Sequence, residues 1–287
     1  MSTLPGKTVL DVIHATTSYF QQHRIEEPRL TIELMLADVL KKKRLQLYLE
    51  FERTLDEPTL VRLREMVKRR VNREPLQYIL GKTDFFGLEL QLDSRVLIPR
   101  PETEILVEQV IAACKDAGIT RILDVGTGSG CIAISLARNL PAAIVTAADR
   151  SANALQLAQV NAQRLGVMDR IEFVESDLFR ALGQRTFDWI VSNPPYIPTG
   201  EAGKLEKEII DYEPLDALFA GEDGLTIIRS IIAEAPRFLA SAGHVALEIG
   251  AGQSEAVQKL FHDSQYQVAK VVKDYQNHER LVIATHG

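Results

Sequence analysis

Cysteine is nearly absent from this 287-residue chain: there are two, Cys114 and Cys131, at a spacing that matches no metal or redox pair. A disulfide framework is thereby excluded, and a reduced, cytoplasmic protein is expected. The six histidines include no His-Glu-x-x-His pair, and there is no Cys/His cluster, so no metal site is expected. No apolar run approaches the roughly 18 residues that a membrane span requires. The start, MSTLPGKTVLDVIH, lacks the apolar stretch of a secretion signal. Nor is there an excess of positive charge. At a net −6 the chain has no global field to gather nucleic acid, and stable binding to DNA or RNA is not expected. Internal repeats and low-complexity tracts are missing too.

What is present is an ordinary globular composition, 46% hydrophobic and 25% charged. From about residue 8 to 73 the pattern is helical. Val9, Val12, Ile13 and Phe20 recur at helical spacing, as do Leu30, Leu34 and Ala37, then Leu60, Leu63, Val67 and Val71. Asp56 reads as an N-cap with Pro58 just inside the following helix. Two basic clusters, Lys41 to Arg44 and Lys68 to Arg73, are either solvated helix faces or a docking surface for an acidic partner. Residues 75–101 carry glycines, aromatics and the alternating Leu88, Leu90 and Leu92, which predicts a hairpin linking an N-terminal domain, 1–74, to a second domain, 102–287. From Thr120 onward, candidate strands at 121–125, 143–149, 171–175, 187–192, 244–249, 267–272 and 280–284 alternate with helical patterns. This predicts an α/β domain whose mostly parallel seven-stranded sheet is covered by helices on both faces.

The first of those strands runs into LDVGTGSG. Gly126, Gly128 and Gly130 let the backbone turn sharply and approach a ligand. The dinucleotide fingerprint Gly-x-Gly-x-x-Gly is not met, because the position three after Gly128 is Cys131. Asp124 precedes the loop. Asp149 ends the second strand, at the distance downstream where a carboxylate takes ribose hydroxyls. Asp177 follows the third strand, where a carboxylate or the next backbone amide, that of Leu178, can contact an adenine edge. Each acid alone is more often a cap or turn residue. Three such elements at the carboxyl ends of successive strands point to an adenosine-bearing cofactor without a pyrophosphate, which fits S-adenosyl-L-methionine.

The fourth strand ends in VSNPPYIP, Val191 to Pro198. Two prolines force the chain out of the sheet beside the reactive end of such a cofactor. Methyl transfer to a planar, conjugated NH2 requires its lone pair to be freed and aimed. The Asn193 side-chain oxygen and a backbone carbonyl can each accept one N–H, and the fixed φ of Pro194 and Pro195 keeps that carbonyl in place. Tyr196 offers a flat surface to the substrate group. Asn193 is no base, and the methylated amide sheds its proton to water. This is positioning catalysis without a covalent intermediate. Both adenine amino groups and glutamine amides meet the description.

The second half resembles the class I methyltransferase fold, and Asn-Pro-Pro-Tyr is shared by methylases of adenine amino groups and of glutamine amides. FFGLELQLDSRVLIPRPETEILV before the glycine loop, EPLDAL at Glu213 to Leu218 and DYQNHER at Asp274 to Arg280 closely resemble the bacterial peptide-chain release factor glutamine methyltransferases. The likeness covers essentially the whole chain. It implies that the substrate is the glutamine of the Gly-Gly-Gln loop of class 1 release factors, with S-adenosyl-L-homocysteine as the other product and a helical domain that docks the factor; a monomer without metal is expected. It further implies that Gly126, Thr127, Gly128, Ser129, Gly130, Asp149, Asp177 and Leu178, with Asp124 and Asn193, hold the cofactor. Asn193, Pro194, Pro195 and Tyr196 would hold the glutamine, and Arg100 would lie near the cleft or form a structural salt bridge. Leu178 stands where some relatives have an aromatic. A sister family that methylates a glutamine of a large-subunit ribosomal protein shares the catalytic pattern, but Pro101 to Glu104, PETE, favours the release-factor branch. Methylation of adenine N6 in nucleic acid is the reading from another class.

Overall fold

The computed structural model describes residues 7–115, 118 and 120–287, so the first six residues of the expected helical domain lie outside the described residues. Two compact units are present. One holds the residues up to Gly81 together with Glu206–Tyr212, and the other holds Lys82–Leu205 with Glu213–Gly287. Among the described residues no helix is long and apolar enough to cross a membrane.

Helices α1 (Val9–Gln22), α2 (Pro28–Leu40), α3 (Arg44–Leu47), α4 (Glu57–Val71) and α5 (Leu76–Leu80) open the first unit. Thr8 and Asp11 cap α1 reciprocally: the Thr8 hydroxyl accepts from the Asp11 amide and the Asp11 carboxylate from the Thr8 amide. Asp56 caps α4 through the Thr59 amide at 3.0 Å, with Pro58 in the first turn. The core holds Val9, Ile13, Phe20, Ile32, Met35, Leu36, Leu47 and Leu63. In α2 the buried face is Ile32, Met35, Leu36 and Ala37, while the expected Leu30 and Leu34 are only partly covered. That helix packs against α1, α3 and α4 at once, so apolar residues lie nearly all round it and spacing cannot choose its face. Much of the basic clusters is paired locally. Lys41 meets Asp38 at 3.3 Å, Lys42 meets Glu50, and Arg69 meets Glu74 at 2.5 Å. Buried Arg70 pairs with Glu208 at 2.8 Å on the stretch of chain that rejoins this unit.

The second unit starts with β1 (Lys82–Phe85) and β2 (Leu88–Gln91), an antiparallel pair joined by Phe86 and Gly87, both at positive φ as a two-residue hairpin turn requires. The hairpin is thus narrower than the 75–101 segment expected, and α5 fills the beginning of that segment. Then follow α6 (Thr103–Cys114), β3 (Arg121–Val125), α7 (Cys131–Asn139), β4 (Ile144–Asp149), α8 (Ala152–Arg164), β5 (Ile171–Glu175) and β6 (Phe187–Ser192). After α9 (Lys207–Tyr212), which belongs to the first unit, come α10 (Thr226–Glu234), β7 (Leu239–Glu248), α11 (Ser254–Asp263), β8 (Tyr266–Lys273) and β9 (Glu279–His286). The sheet order is β5-β4-β3-β6-β7-β9-β8, with only β9 running against its neighbours. β7 begins at Leu239 rather than His244, because Leu239 already pairs with Phe187 before the register shifts.

Strand residues alternate between two cores. Ile122, Val145, Trp189 and Val191 face the side covered by α6, α7 and α8, whereas Leu123, Ala148, Ile190 and Val245 face α10 and α11. One buried polar residue crosses this packing. Asn161 on α8 accepts from the Gln91 amide at 2.7 Å and donates to the carbonyls of Gln91 and Ser129, each at 3.0 Å. It ties the hairpin to the glycine loop. Replacing Asn161 by Ala leaves those backbone groups unpaired in a buried place, and we expect a loss of about 1–3 kcal/mol, read as a lowered urea midpoint at unchanged slope.

Candidate active site

The loop after β3 uses its glycines for two different reasons. Gly126 and Gly128 have φ of +74° and +54°, and a Cβ at either would meet nothing within 4 Å. They are demanded by backbone conformation, on the open side of the loop. Gly130, at φ +82°, would place a Cβ 2.9 Å from Ile134 Cδ1 and 3.1 Å from Ala158 Cβ, so it lets α7 start close against α8. The amides of Gly126 and Thr127 donate to the Ala148 carbonyl at 2.8 and 3.0 Å.

Asp124 stands behind this loop. It is fully buried, and its Oδ2 accepts from the Thr127 hydroxyl at 2.7 Å and the Ala133 amide at 3.2 Å. Burial pushes its pKa up to about 7, and its Oδ1 has no partner. Asp149 stands in front. Its Oδ2 accepts from the Gly128 amide and its Oδ1 from the Ser151 amide, both at 2.9 Å. Burial raises its pKa while those two amides oppose the rise.

A cleft of about 180 Å³ opens at these strand ends. Gly126, Gly128, Asp149, Asp177, Leu178, Asn193, Pro194 and Pro195 line it, joined by Ile227 and Ile231 from α10. Asp124, Thr127, Ser129 and Gly130 form the rear of the loop instead of the wall. Leu178 sits at φ +53°, a left-handed conformation costing a branched residue about 1–2 kcal/mol. The Ser176 hydroxyl holds it there, donating to the Leu178 carbonyl at 2.8 Å and accepting from the Ala181 amide at 3.0 Å. Asp177 reaches outward to Arg180 at 2.6 Å.

Arg100 is not in the wall. Its guanidinium donates to Glu213 Oε1 at 2.6 Å, and Glu213 Oε2 accepts from the Ile98 amide at 3.1 Å. The pair fastens two wall segments together, Arg95 to Leu97 and Pro214 to Ala217. Nothing in the spacing of EPLDAL marks Glu213 as the partner of Arg100.

The Asn-Pro-Pro-Tyr turn is clamped from several sides. The Gln253 side chain donates to the Tyr196 carbonyl at 2.8 Å, and a Cβ on Gly224 would lie 2.2 Å from that same oxygen. The Asn193 amide group donates through Nδ2 to Thr103 Oγ1 at 2.9 Å. The Tyr196 hydroxyl points away from the cleft and donates to Glu248 Oε1 at 3.3 Å. Glu248 ends β7, is almost fully buried, and has its pKa pushed up to about 7 by burial against the opposing effect of the Thr103 and Tyr196 hydroxyls. Sequence alone singles out neither Thr103 nor Glu248. The one signal for Glu248 is its position at the carboxyl end of an apolar strand, the same position that marks Asp149 and Asn193. Among the described residues no group of three or more His, Cys, Asp or Glu could hold a metal ion.

Two buried acids with raised pKa values, Asp124 and Glu248, contribute to the pH dependence of stability. The folded protein binds these protons more tightly than the unfolded chain, so the contribution of each acid is full below its ordinary pKa, near 4, and is lost as pH rises toward 7. Asp124→Asn keeps an acceptor for Thr127 and Ala133 without the buried charge. We expect its stability relative to wild type to increase between pH 5 and pH 8 in urea unfolding, and a constant difference would contradict the assignment.

Residues 11–81 match the domain family described as PrmC N-terminal domain, and residues 101–213 match Methyltransferase small domain. The release factor glutamine methyltransferase of Geobacter sulfurreducens is 42% identical over 254 residues, 88% of each chain. That of Chlorobaculum tepidum is 42% identical over 282 residues, 95% of each chain. Among solved structures, a methyltransferase from Pyrococcus furiosus overlays 81% of this chain and 100% of its own with a TM-score of 0.53 at 18% identity, a likeness of fold alone. With that identity sustained over nearly its full length, the chain belongs to the release factor glutamine methyltransferase family.

Proposed function

We propose that this enzyme transfers a methyl group from S-adenosyl-L-methionine to the side-chain amide nitrogen of the glutamine in the Gly-Gly-Gln loop of class 1 release factors. The observation that carries the reading is the meeting of Asp149, the Gly126–Gly128 backbone and Asn193 in one cleft. The residues fit the cofactor. Asp149 keeps acceptor capacity after binding two amides, as vicinal ribose hydroxyls require, and Leu178, Ile227 and Ile231 give an apolar slot for adenine. When bound, the cofactor supplies a methyl group on a sulfonium, a leaving group that needs no acid.

The protein therefore has to prepare the amine. Asn193 points Nδ2 at Thr103, which leaves Oδ1 to accept one substrate N–H. The carbonyl following it, held by Pro194 and Pro195, accepts the other. With both N–H bonds fixed, the nitrogen lone pair can be turned toward the methyl carbon at a fraction of the cost of losing amide resonance. A C–N bond forms, the C–S bond breaks, and the surplus proton leaves to water. No side chain here has to act as a strong base.

The helical unit is assigned to docking the factor. Beside its first basic cluster, Leu45 and Leu49 are 74% and 87% exposed, an unusual state for leucines one turn apart. We place the enzyme in the cytoplasm, where translation factors act, and as a monomer.

Purified unmodified release factor, incubated with cofactor and enzyme, is expected to gain one methyl on the Gly-Gly-Gln peptide by mass spectrometry. A factor with that Gln changed to Ala, a ribosomal large subunit and duplex DNA serve as parallel substrates, and transfer to either of the last two instead would overturn the substrate. Asn193→Ala should lower kcat by about 10²–10³-fold, while Asp149→Ala should act mainly on cofactor affinity. A Leu45→Ala, Leu49→Ala double variant should lower kcat/KM on the whole factor and leave a short Gly-Gly-Gln peptide unaffected; equal effects on both would remove the docking role.

A further inference from the structure

The turn between β8 and β9 is built more firmly than a surface hairpin needs. The Asp274 side chain is only 4% exposed. Its Oδ1 accepts from the amides of Gln276 and His278, and its Oδ2 from Arg280 Nε, all at 2.9 Å. The backbone closes the same turn. The Asp274 amide donates to the His278 carbonyl at 2.8 Å, and the Asn277 amide to the Asp274 carbonyl at 2.9 Å. Asn277 sits at φ +68°, a left-handed conformation that Asn tolerates better than most residues. On this frame stands Tyr275, 97% exposed, more than any other large apolar side chain among the described residues. At that exposure its ring adds almost no buried area to the fold.

The turn stands at the edge of the sheet where the cleft opens. Because β9 runs against β7, its start lies beside the end of β7: Glu248 pairs with Leu281, and the Ile249 amide donates to the Arg280 carbonyl at 2.9 Å. Ile249 leads into the segment that clamps the Asn-Pro-Pro-Tyr turn. There the Gln253 side chain accepts from the Gly250 amide and donates to the Tyr196 carbonyl, each at 2.8 Å. One short stretch, Ile249 to Gln253, therefore fastens both turns. From Asn193, just beyond β6, the β8–β9 turn is two to three strands away, about 10–15 Å at the usual strand spacing. A specific protein interface covers about 800 Å² of each partner, a patch roughly 16 Å in radius. Centred on Asn193, such a patch includes Tyr275. A short peptide bound at Asn193 covers only its middle.

We propose that Tyr275 is a docking residue for the protein substrate, meeting the folded surface of the release factor around its Gly-Gly-Gln loop. A tyrosine offers a large contact area, apolar on its faces and polar at its tip, with only two torsions to freeze. The braced turn is already ordered, so little backbone freedom is lost when the factor arrives. Such a contact favours a folded factor over a loose peptide carrying the same three residues, and it does so without touching the reacting atoms.

This inference rests on the methyl transfer proposed above, and the test separates the two. Wild type, Tyr275→Ala and Tyr275→Phe are compared for thermal midpoint, cofactor KM, and kcat/KM on the whole factor and on a short Gly-Gly-Gln peptide. Tyr275→Ala is expected to lower kcat/KM on the factor about tenfold, with the peptide value, cofactor KM and thermal midpoint unchanged. Tyr275→Phe should keep most of the activity. A readout independent of turnover puts the photoreactive residue p-benzoylphenylalanine at 275, in enzyme saturated with S-adenosyl-L-homocysteine. Irradiation with unmodified factor should give a cross-link that mass spectrometry maps to the part of the factor carrying Gly-Gly-Gln. A wild type that transfers no methyl to the factor would reject the reaction and with it the partner named here. Given wild-type transfer, three results would each overturn the docking role and leave the reaction standing: Tyr275→Ala within twofold of wild type on the factor, an equal loss on factor and peptide, or no cross-link from position 275.

Discussion

The parallel pairing of β5, β4, β3 and β6 is the constraint on which the site depends. Its register sets Asp149 opposite Glu175, Val125 opposite Ala148 and Asp124 opposite Val191, so these strands end almost level. Backbone hydrogen bonds alone therefore deliver four loops to one edge before any side chain of the site is chosen. A slip of one residue in β4 would turn Asp149 to the opposite face and dismantle the cleft. The seven-stranded order also places the site at that edge, since ligands in open α/β sheets sit beyond the carboxyl ends of the strands.

The same edge concentrates unfavourable electrostatics. Asp124 and Glu248 are both buried, both have raised pKa values and both keep one oxygen without a partner. They serve different structures. Asp124 holds the glycine loop to the first turn of α7 through Thr127 and Ala133, and Glu248 receives the hydroxyl behind the Asn-Pro-Pro-Tyr turn. Leu178 adds a strained backbone between them. A core built for stability alone would contain none of the three.

What could be read in the sequence follows from what is local. Strands β3, β5 and β6 are legible because each is a short stretch rich in β-branched and aromatic residues between helical patterns. Asn193 is legible because two consecutive prolines directly behind a strand force the chain out of the sheet at a fixed angle. Sequence places Asp124 and Asp149 near the ends of adjacent strands and assigns both to the cofactor; burial decides that Asp124 is a brace and Asp149 lines the cleft. Long-range partners leave no local pattern. Glu213 is more than a hundred residues from Arg100, and Thr103 is ninety residues from Asn193. The buried face of α2 is hidden for the opposite reason, a helix apolar on almost every side.

The central claim is that Asn193 offers its oxygen to an amide nitrogen held beside the cofactor's methyl position. A crystal structure with S-adenosyl-L-homocysteine and a peptide carrying Gly-Gly-Gln tests it most directly. The glutamine nitrogen is expected within hydrogen-bond reach of Asn193 Oδ1, with Nδ2 still on Thr103. A glutamine side chain bound away from Asn193, or one facing its Nδ2, would contradict it.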